Sequence, residues 1–387
     1  MILANLLQVV SFSALRKLDI DHYALLNYGM YSITFLAVVM GSFERWLMIR
    51  LSTLPFYQRL SAIKEIFKTT IRPIPVLIVG LGILFCILNP SAFPYIILSV
   101  ISVLLMFLSL FPKALVVSEE NYVFLGTLSI IEPLFRLATV YLFVQNGNII
   151  PFFIGHLLAS ASVGIISYFT FKRSLETPRK EEDESAHMKL EINEIFGQIL
   201  LQVGVSIFWI ADGLLLKNLL SEQIYATYVT YAYIMKFPLL LTISFVNVLT
   251  IKNVIEREQQ AQFRKMMILA IFLSIAAFSI IGLMDTVLPG VITTFLGFNQ
   301  YYIPGILFYM SVVWTIHTIL TILFTYLLKV QQGPRLFLNI GSYMISFIII
   351  LLLFNLSLIT LLTAILIQGI LFLGITLFWH RLFKKGV

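Results

Sequence analysis

Residues 72–113 read RPIPVLIVGLGILFCILNPSAFPYIILSVISVLLMFLSLFPK: two apolar runs, 73–89 and 93–111, with Arg72 and Lys113 at the two ends and Asn89-Pro90 at the break between them. An α-helix rises about 1.5 Å per residue, so about 20 mainly apolar residues cross the roughly 30 Å of hydrocarbon in a bilayer. Inside that layer each backbone polar group must be bonded within its own helix. Two such helices joined by a short uncharged turn return the chain to the side it left, which places Arg72 and Lys113 on one face of a membrane.

The same reading extends along the whole chain. Of its 387 residues 59% are hydrophobic and 12% charged, with 33 Phe and a mean hydropathy of +0.96. That is far more apolar surface than a soluble domain of this length buries. Twelve runs predict spans near 2–16, 25–49, 73–89, 93–111, 122–145, 150–171, 195–216, 223–251, 266–288, 303–328, 336–354 and 357–379. Their breaks are polar or carry Pro and Gly, as at Asn89-Pro90, Pro112-Lys113, Asn146-Gly147-Asn148 and Gly333-Pro334.

Cations alternate with the spans. Arg50, Arg59, Lys64, Lys68 and Arg72 follow span two, Lys113 follows span four, and Lys172, Arg173, Arg179, Lys180 and Lys189 follow span six. Lys252, Arg257, Arg264 and Lys265 follow span eight, Lys329 and Arg335 span ten, and Arg381, Lys384 and Lys385 the last span. The other face carries only Arg16, Lys17 and Lys217. By the positive-inside rule both termini and every even-numbered exit are expected on the cytoplasmic side. The formal charge of +7 is then a signal of topology, and no nucleic-acid partner is expected. The first span is short, and Asp19 and Asp21 offset Arg16 and Lys17 beyond it; a cleaved signal peptide fits less well, with no basic leader and no small-residue cleavage site. The single cysteine, Cys86, excludes a disulfide within the chain.

An internal repeat gives the domain organisation. Leu18 to Ile33 reads LDIDHYALLNYGMYSI and Leu220 to Met235 reads LSEQIYATYVTYAYIM, with Leu, Tyr, Ala and Tyr coinciding at an offset of 202. Each copy opens an even-numbered span, so the halves form a parallel repeat. The fold class expected is an all-α polytopic membrane protein, about twelve transmembrane helices in two six-helix bundles around a central cavity. Residues 1–171 form the N-terminal bundle, 172–194 a charged cytoplasmic linker and 195–387 the C-terminal bundle.

Four stretches carry a family resemblance: LDIDHYALLNYGMYS after span one, GSFERWLMIR at Gly41 to Arg50, IADGLLLKNLLSEQIYATYVTYAYIMKFPLLL at Ile210 to Leu241, and LLKVQQGPRLFLNIGSYMISFIIILLLF at Leu327 to Phe354. With them the chain resembles the polysaccharide flippases, bacterial O-antigen and capsule repeat-unit translocases of the multidrug/oligosaccharidyl-lipid/polysaccharide exporter superfamily. The short first span departs from the family's usual long one. The resemblance implies movement of an undecaprenyl-diphosphate-linked oligosaccharide from the cytoplasmic to the periplasmic leaflet, with H⁺ or Na⁺ as coupling ion, membrane lipid around it, and a polysaccharide polymerase and chain-length regulator as partners.

A diphosphate and polar sugars cannot cross hydrocarbon unaided, so ionisable groups inside spans are the candidate site. On insertion scales each costs about 2.5 to 3.5 kcal/mol at mid-span, and those that persist face protein or water. Glu44 and Arg45 lie on span two, where Arg45 is a cavity cation or an interfacial anchor and Glu44 a candidate for ion coupling. Glu132 and Arg136 on span five are four apart, one helix face, with Pro133 between them; they form a structural ion pair or bind substrate. Asp212 on span seven resembles the family's acidic position after an aromatic-Ile-Ala run, and is the candidate for coupling; it otherwise bonds between helices or partners Lys236 of span eight. Lys236, two residues before Pro238, is a further candidate cation. Tyr225, Tyr228 and Tyr231 recur every third residue, Tyr228 being a candidate sugar contact, although an interfacial aromatic belt is the more ordinary account. Asp285 reads as solvated near an outer end, and His317 and His156 as interhelical hydrogen-bonders.

Absences limit the alternatives. There is no G-x-x-x-x-G-K-[ST] phosphate loop and no His and Cys cluster of metal type, so neither ATP hydrolysis nor a cofactor is expected. A membrane glycan polymerase would present a charged outer loop, whereas Val287 to Ile303 holds no Asp, Glu, Lys, Arg or His. A multidrug or small-solute extruder of the same superfamily is the main alternative, since the mix of candidate cations and acids inside the spans does not decide between the two. A scaffold without transport gives no reason for such costly charges.

Overall fold

The computed structural model describes residues 18–52, 54, 56–118, 130–131, 134–135, 137–139, 148–176, 192–255, 260–296, 302–330, 334–353 and 357–384. Among them there is no strand. The helices are α1 (Ile20–Ser52), α2 (Phe56–Thr70), α3 (Pro73–Leu88), α4 (Phe93–Ser118), α5 (Ile150–Glu176), α6 (Ile192–Ser206), α7 (Phe208–Leu216), α8 (Glu222–Ile255), α9 (Gln260–Val287), α10 (Val291–Leu296), α11 (Ile306–Val330), α12 (Pro334–Leu353) and α13 (Leu358–Lys384), with a 3₁₀ turn at Pro90–Ala92. Six stretches are long and apolar enough to cross a membrane, in α1, α4, α5, α9, α11 and α13, and two bent pairs raise this to eight. The chain is an all-α polytopic membrane protein. Expected span 2–16 lies outside the described residues, as does most of 122–145.

Exposed apolar residues mark the outward faces of the spans. Val76 and Ile87 are each 70% exposed, Phe272 66% and Phe378 61%. Such side chains in water would form a sticky surface; against acyl chains they cost nothing.

The bent pairs have separate causes. Pro73 and Pro75 open α3 and donate no backbone hydrogen bond, and α2 and α3 meet at 40°. Between α6 and α7 the axis turns by 71° with no proline present. There the ladder tightens to i→i−3 bonds, Ile207 N to Gly204 O at 3.5 Å and Ile210 N to Ile207 O at 3.4 Å. Thr321 Oγ1 of α11 donates to Val205 O at 3.4 Å, giving a carbonyl beside the break a partner.

One expected break is corrected. Pro112-Lys113 does not end a helix, because α4 runs through Pro112 to Ser118. Phe107 and Phe111 of α4 pack on Phe43 of α1, with ring centroids 6.1 Å apart in both cases, and Phe111 meets Phe67 of α2 edge-on at 5.0 Å. Aromatic packing of this kind compensates for the one hydrogen bond the proline removes. Lys113, expected in a loop, sits on this helix.

The chain divides into two compact units, Met1–Gln202 and Val203–Val387, the division falling near the end of α6. In the first, α4 packs against α1, α3 and α5; in the second, α11 packs against α8, α9 and α13. The repeat appears in the helix caps. His22 N donates to Asp19 Oδ1 at 2.8 Å to start α1, and Ile224 N donates to Ser221 Oγ at 3.5 Å to start α8. Asp19 and Ser221 are related by the 202-residue offset, and Tyr23 and Tyr225, which follow them, are both buried. The N–H and ring of His22 hold the Asp19 carboxyl below the usual carboxylate range.

Candidate functional site

A helical hairpin folded about a tight turn brings together residues equidistant from that turn. The turn at Leu219–Ser221 joins α7 to α8, and its mouth is closed by Lys217 Nζ on Glu222 Oε1 at 2.9 Å. One step further in, Tyr225 Oη donates to Gly213 O at 2.8 Å. The next pair is Tyr228 with Asp212, where Tyr228 Oη donates to Asp212 Oδ2 at 2.6 Å. Two turns beyond Tyr228 on α8, the Lys236 ammonium lies within electrostatic reach of the Asp212 carboxylate and 5.6 Å from the centroid of the Tyr233 ring.

Burial makes this group costly unless it is internally compensated. Asp212 is 0% exposed, Tyr228 1% and Lys236 8%. A carboxylate alone in such surroundings is strongly disfavoured, whereas a hydroxyl donor and a cation nearby lower the cost. Asp212 Oδ2 takes the Tyr228 hydroxyl, while the backbone N–H groups of Gly213 and of Asp212 itself lie within reach of the carboxyl.

The tyrosines are a correction to the interfacial belt. Tyr225, Tyr228 and Tyr231 are all buried, and their hydroxyls engage Gly213, Asp212 and Ile303, the last through Ile303 N donating to Tyr231 Oη at 2.6 Å. Three-residue spacing puts them on one side of α8, and that side faces protein.

α7 is positioned from its other end by Phe208, which the sequence reading passed over. Its ring stacks on His317 of α11 with centroids 3.9 Å apart and a 10° interplanar angle. His317 Nε2–H donates to Ile365 O at 3.0 Å, so Nδ1 accepts from Tyr343 Oη at 2.6 Å. Both ring nitrogens are thereby occupied, and His317 acts as a bolt joining α11, α12 and α13.

Asp285, expected to be solvated, is 4% exposed. The backbone N–H groups of Gly290, Gly305 and Phe308 turn toward its carboxyl. Gly290 and Gly305 have φ of 74° and 79°, a region glycine enters without a Cβ penalty. Asp285 is thus buried beside the turns on either side of α10.

In the first unit Glu44 pairs with Lys113 at 2.6 Å, joining α1 to α4. The Arg45 side chain, Glu132 and Arg136 lie outside the described residues. Among the described residues no three His, Cys, Asp or Glu are grouped to hold a metal ion.

No family model matches the sequence and no curated protein matches it. Among solved structures, the lipid II flippase MurJ in its inward closed conformation matches 98% of this chain and 86% of its own, with a TM-score of 0.68 and 15% sequence identity. The fold is that of MurJ. At 15% identity this likeness is one of fold. The likeness covers nearly the whole of this chain.

Proposed function

We propose that this protein is a flippase for lipid-linked oligosaccharides and no enzyme, working by alternating access in a bacterial cytoplasmic membrane. The observation that carries this reading is a fold shared along 98% of the chain with a lipid II flippase. A fold alone hosts many functions; the buried Asp212, Tyr228 and Lys236 add a charged group inside a span, where charge is kept for a purpose.

In the finer reading the cargo is an undecaprenyl-diphosphate-linked repeat unit of an O-antigen or capsule, moved from the cytoplasmic to the periplasmic leaflet. Arg45, Arg136 and Lys236 serve the diphosphate or acidic sugars, with Glu132 as counter-charge. Asp212 takes H⁺ or Na⁺. Binding of that ion weakens the hold of Asp212 on Lys236 and frees the ammonium for the diphosphate, which links ion and cargo in one exchange. A membrane potential of about 100 mV supplies roughly 2.3 kcal/mol per charge, enough to bias two states close in energy.

The test is reconstitution of the whole chain in vesicles carrying a labelled undecaprenyl-diphosphate oligosaccharide. The expected result is leaflet exchange well above protein-free vesicles and accelerated by an ion gradient. Exchange no faster than in protein-free vesicles, together with gradient-driven efflux of an organic cation, would make the protein an extruder instead.

A further inference from the structure

Lys64, Lys68 and Arg72 recur one helical turn apart, and all three are exposed. The opposite side of α2 buries Ala62, Ile63, Ile66 and Thr70, and Phe67 is held edge-on against Phe111. α2 therefore cannot roll to hide its cations. Its hydrogen-bond ladder continues into α3, with Ile71 N on Phe67 O at 2.9 Å and Val76 N on Arg72 O at 3.3 Å. The next exposed residues at helical spacing are apolar: Val76, Val79, Ile83 and Ile87. α3 has no charged residue, and the one acid of α2, Glu65, is partly buried beside the ridge.

Three fixed cations thus stand at the end of an open apolar stripe. At about 1.5 Å per residue the stripe from Val76 to Ile87 is roughly 16 Å long, close to one leaflet of a hydrocarbon core about 30 Å thick. The order is that of a diacyl phospholipid, anionic phosphate first and acyl chain behind it. A zwitterionic headgroup brings its own cation and gains little from such a ridge; an anionic one gains from each Lys or Arg near the surface.

We propose that α2 and α3 form a binding site for an anionic phospholipid, whose phosphate lies on Lys64, Lys68 and Arg72 and whose acyl chain lies along Val76, Val79, Ile83 and Ile87. The site rests on the membrane fold alone and is independent of what the protein transports.

The whole chain in detergent is titrated with phosphatidylglycerol and with phosphatidylcholine of matched acyl chains, and bound lipid is counted by native mass spectrometry. The expected result is tighter binding of phosphatidylglycerol, a loss of about tenfold or more in the variant Lys64→Gln, Lys68→Gln, Arg72→Gln, and no change for phosphatidylcholine. Exchange of both lysines for arginine should keep the preference, as should Lys217→Gln far along the chain. Equal binding of the two lipids by the wild type, or an unchanged preference in the triple variant, overturns the proposal. So does displacement of phosphatidylglycerol by an equimolar short polyprenyl diphosphate, which would give these cations to the carrier lipid.

Discussion

Asp212 and Lys236 set opposite charges among buried neighbours, so each residue's worth depends on the other. Removing one partner of a buried pair leaves an uncompensated charge, typically costing about 3 to 5 kcal/mol, while removing both is often close to neutral. Asp212→Asn is accordingly expected to lower the unfolding free energy by about 3 kcal/mol, and Asp212→Asn with Lys236→Met to recover most of it. Thermal unfolding of the purified variants in one detergent checks this, and a double variant as unstable as the single one would mean the two charges are not coupled. Tyr228→Phe removes the hydroxyl that donates to Asp212 Oδ2. A buried acceptor left unsatisfied costs about 1 to 3 kcal/mol, so a loss in that range is expected by the same measurement, together with a weaker response of transport to an ion gradient.

At the scale of elements, the joint between α11 and α13 depends on a glycine. A Cβ on Gly369 would come within 2.8 Å of His317 Nε2 and 2.9 Å of Ile316 Cγ2, one turn from the Ile365 carbonyl that His317 bonds. Gly369→Ala is expected to cost about 1 to 3 kcal/mol by overpacking. Gly374, on the same helix, has nothing within 4 Å of its Cβ position. Gly374→Ala should therefore leave stability unchanged or slightly improved, and equal losses at both sites would argue against the α11 to α13 contact.

Much at this scale was legible from residue patterns, for physical reasons. The apolar runs and their polar breaks located ten of the twelve expected spans on described helices, because burying a backbone in lipid leaves the chain little choice. Asp212 was legible as a charge inside a span; its partner Tyr228 is recoverable in hindsight from the hairpin, as the two residues are equidistant from Leu220. The 71° turn at Ile207 was not legible, since no Pro or Gly occupies that position and its carbonyl partner, Thr321, is distant in sequence. The continuation of α4 through Pro112 was not legible either, because Phe43 and Phe67, on which Phe107 and Phe111 just before the proline pack, are distant in sequence. Tyrosine spacing identified one side of α8 but carried nothing about which neighbour that side meets.

For the whole molecule, the 202-residue offset relates two long helices that each begin with a side-chain cap and a buried tyrosine. The caps at Asp19 and Ser221 are each expected to contribute about 1 kcal/mol, so Asp19→Ala and Ser221→Ala should lower stability by similar amounts, readable as a shift in unfolding midpoint. The central claim concerns the cargo, and it is tested most directly in cells whose polysaccharide cluster is defined. The gene is deleted, the leaflet position of the lipid-linked repeat unit is followed, and the intact gene is then restored. The account predicts accumulation in the cytoplasmic leaflet that the intact gene relieves and Asp212→Asn does not; repeat units that reach the outer leaflet at the normal rate without this protein would contradict it.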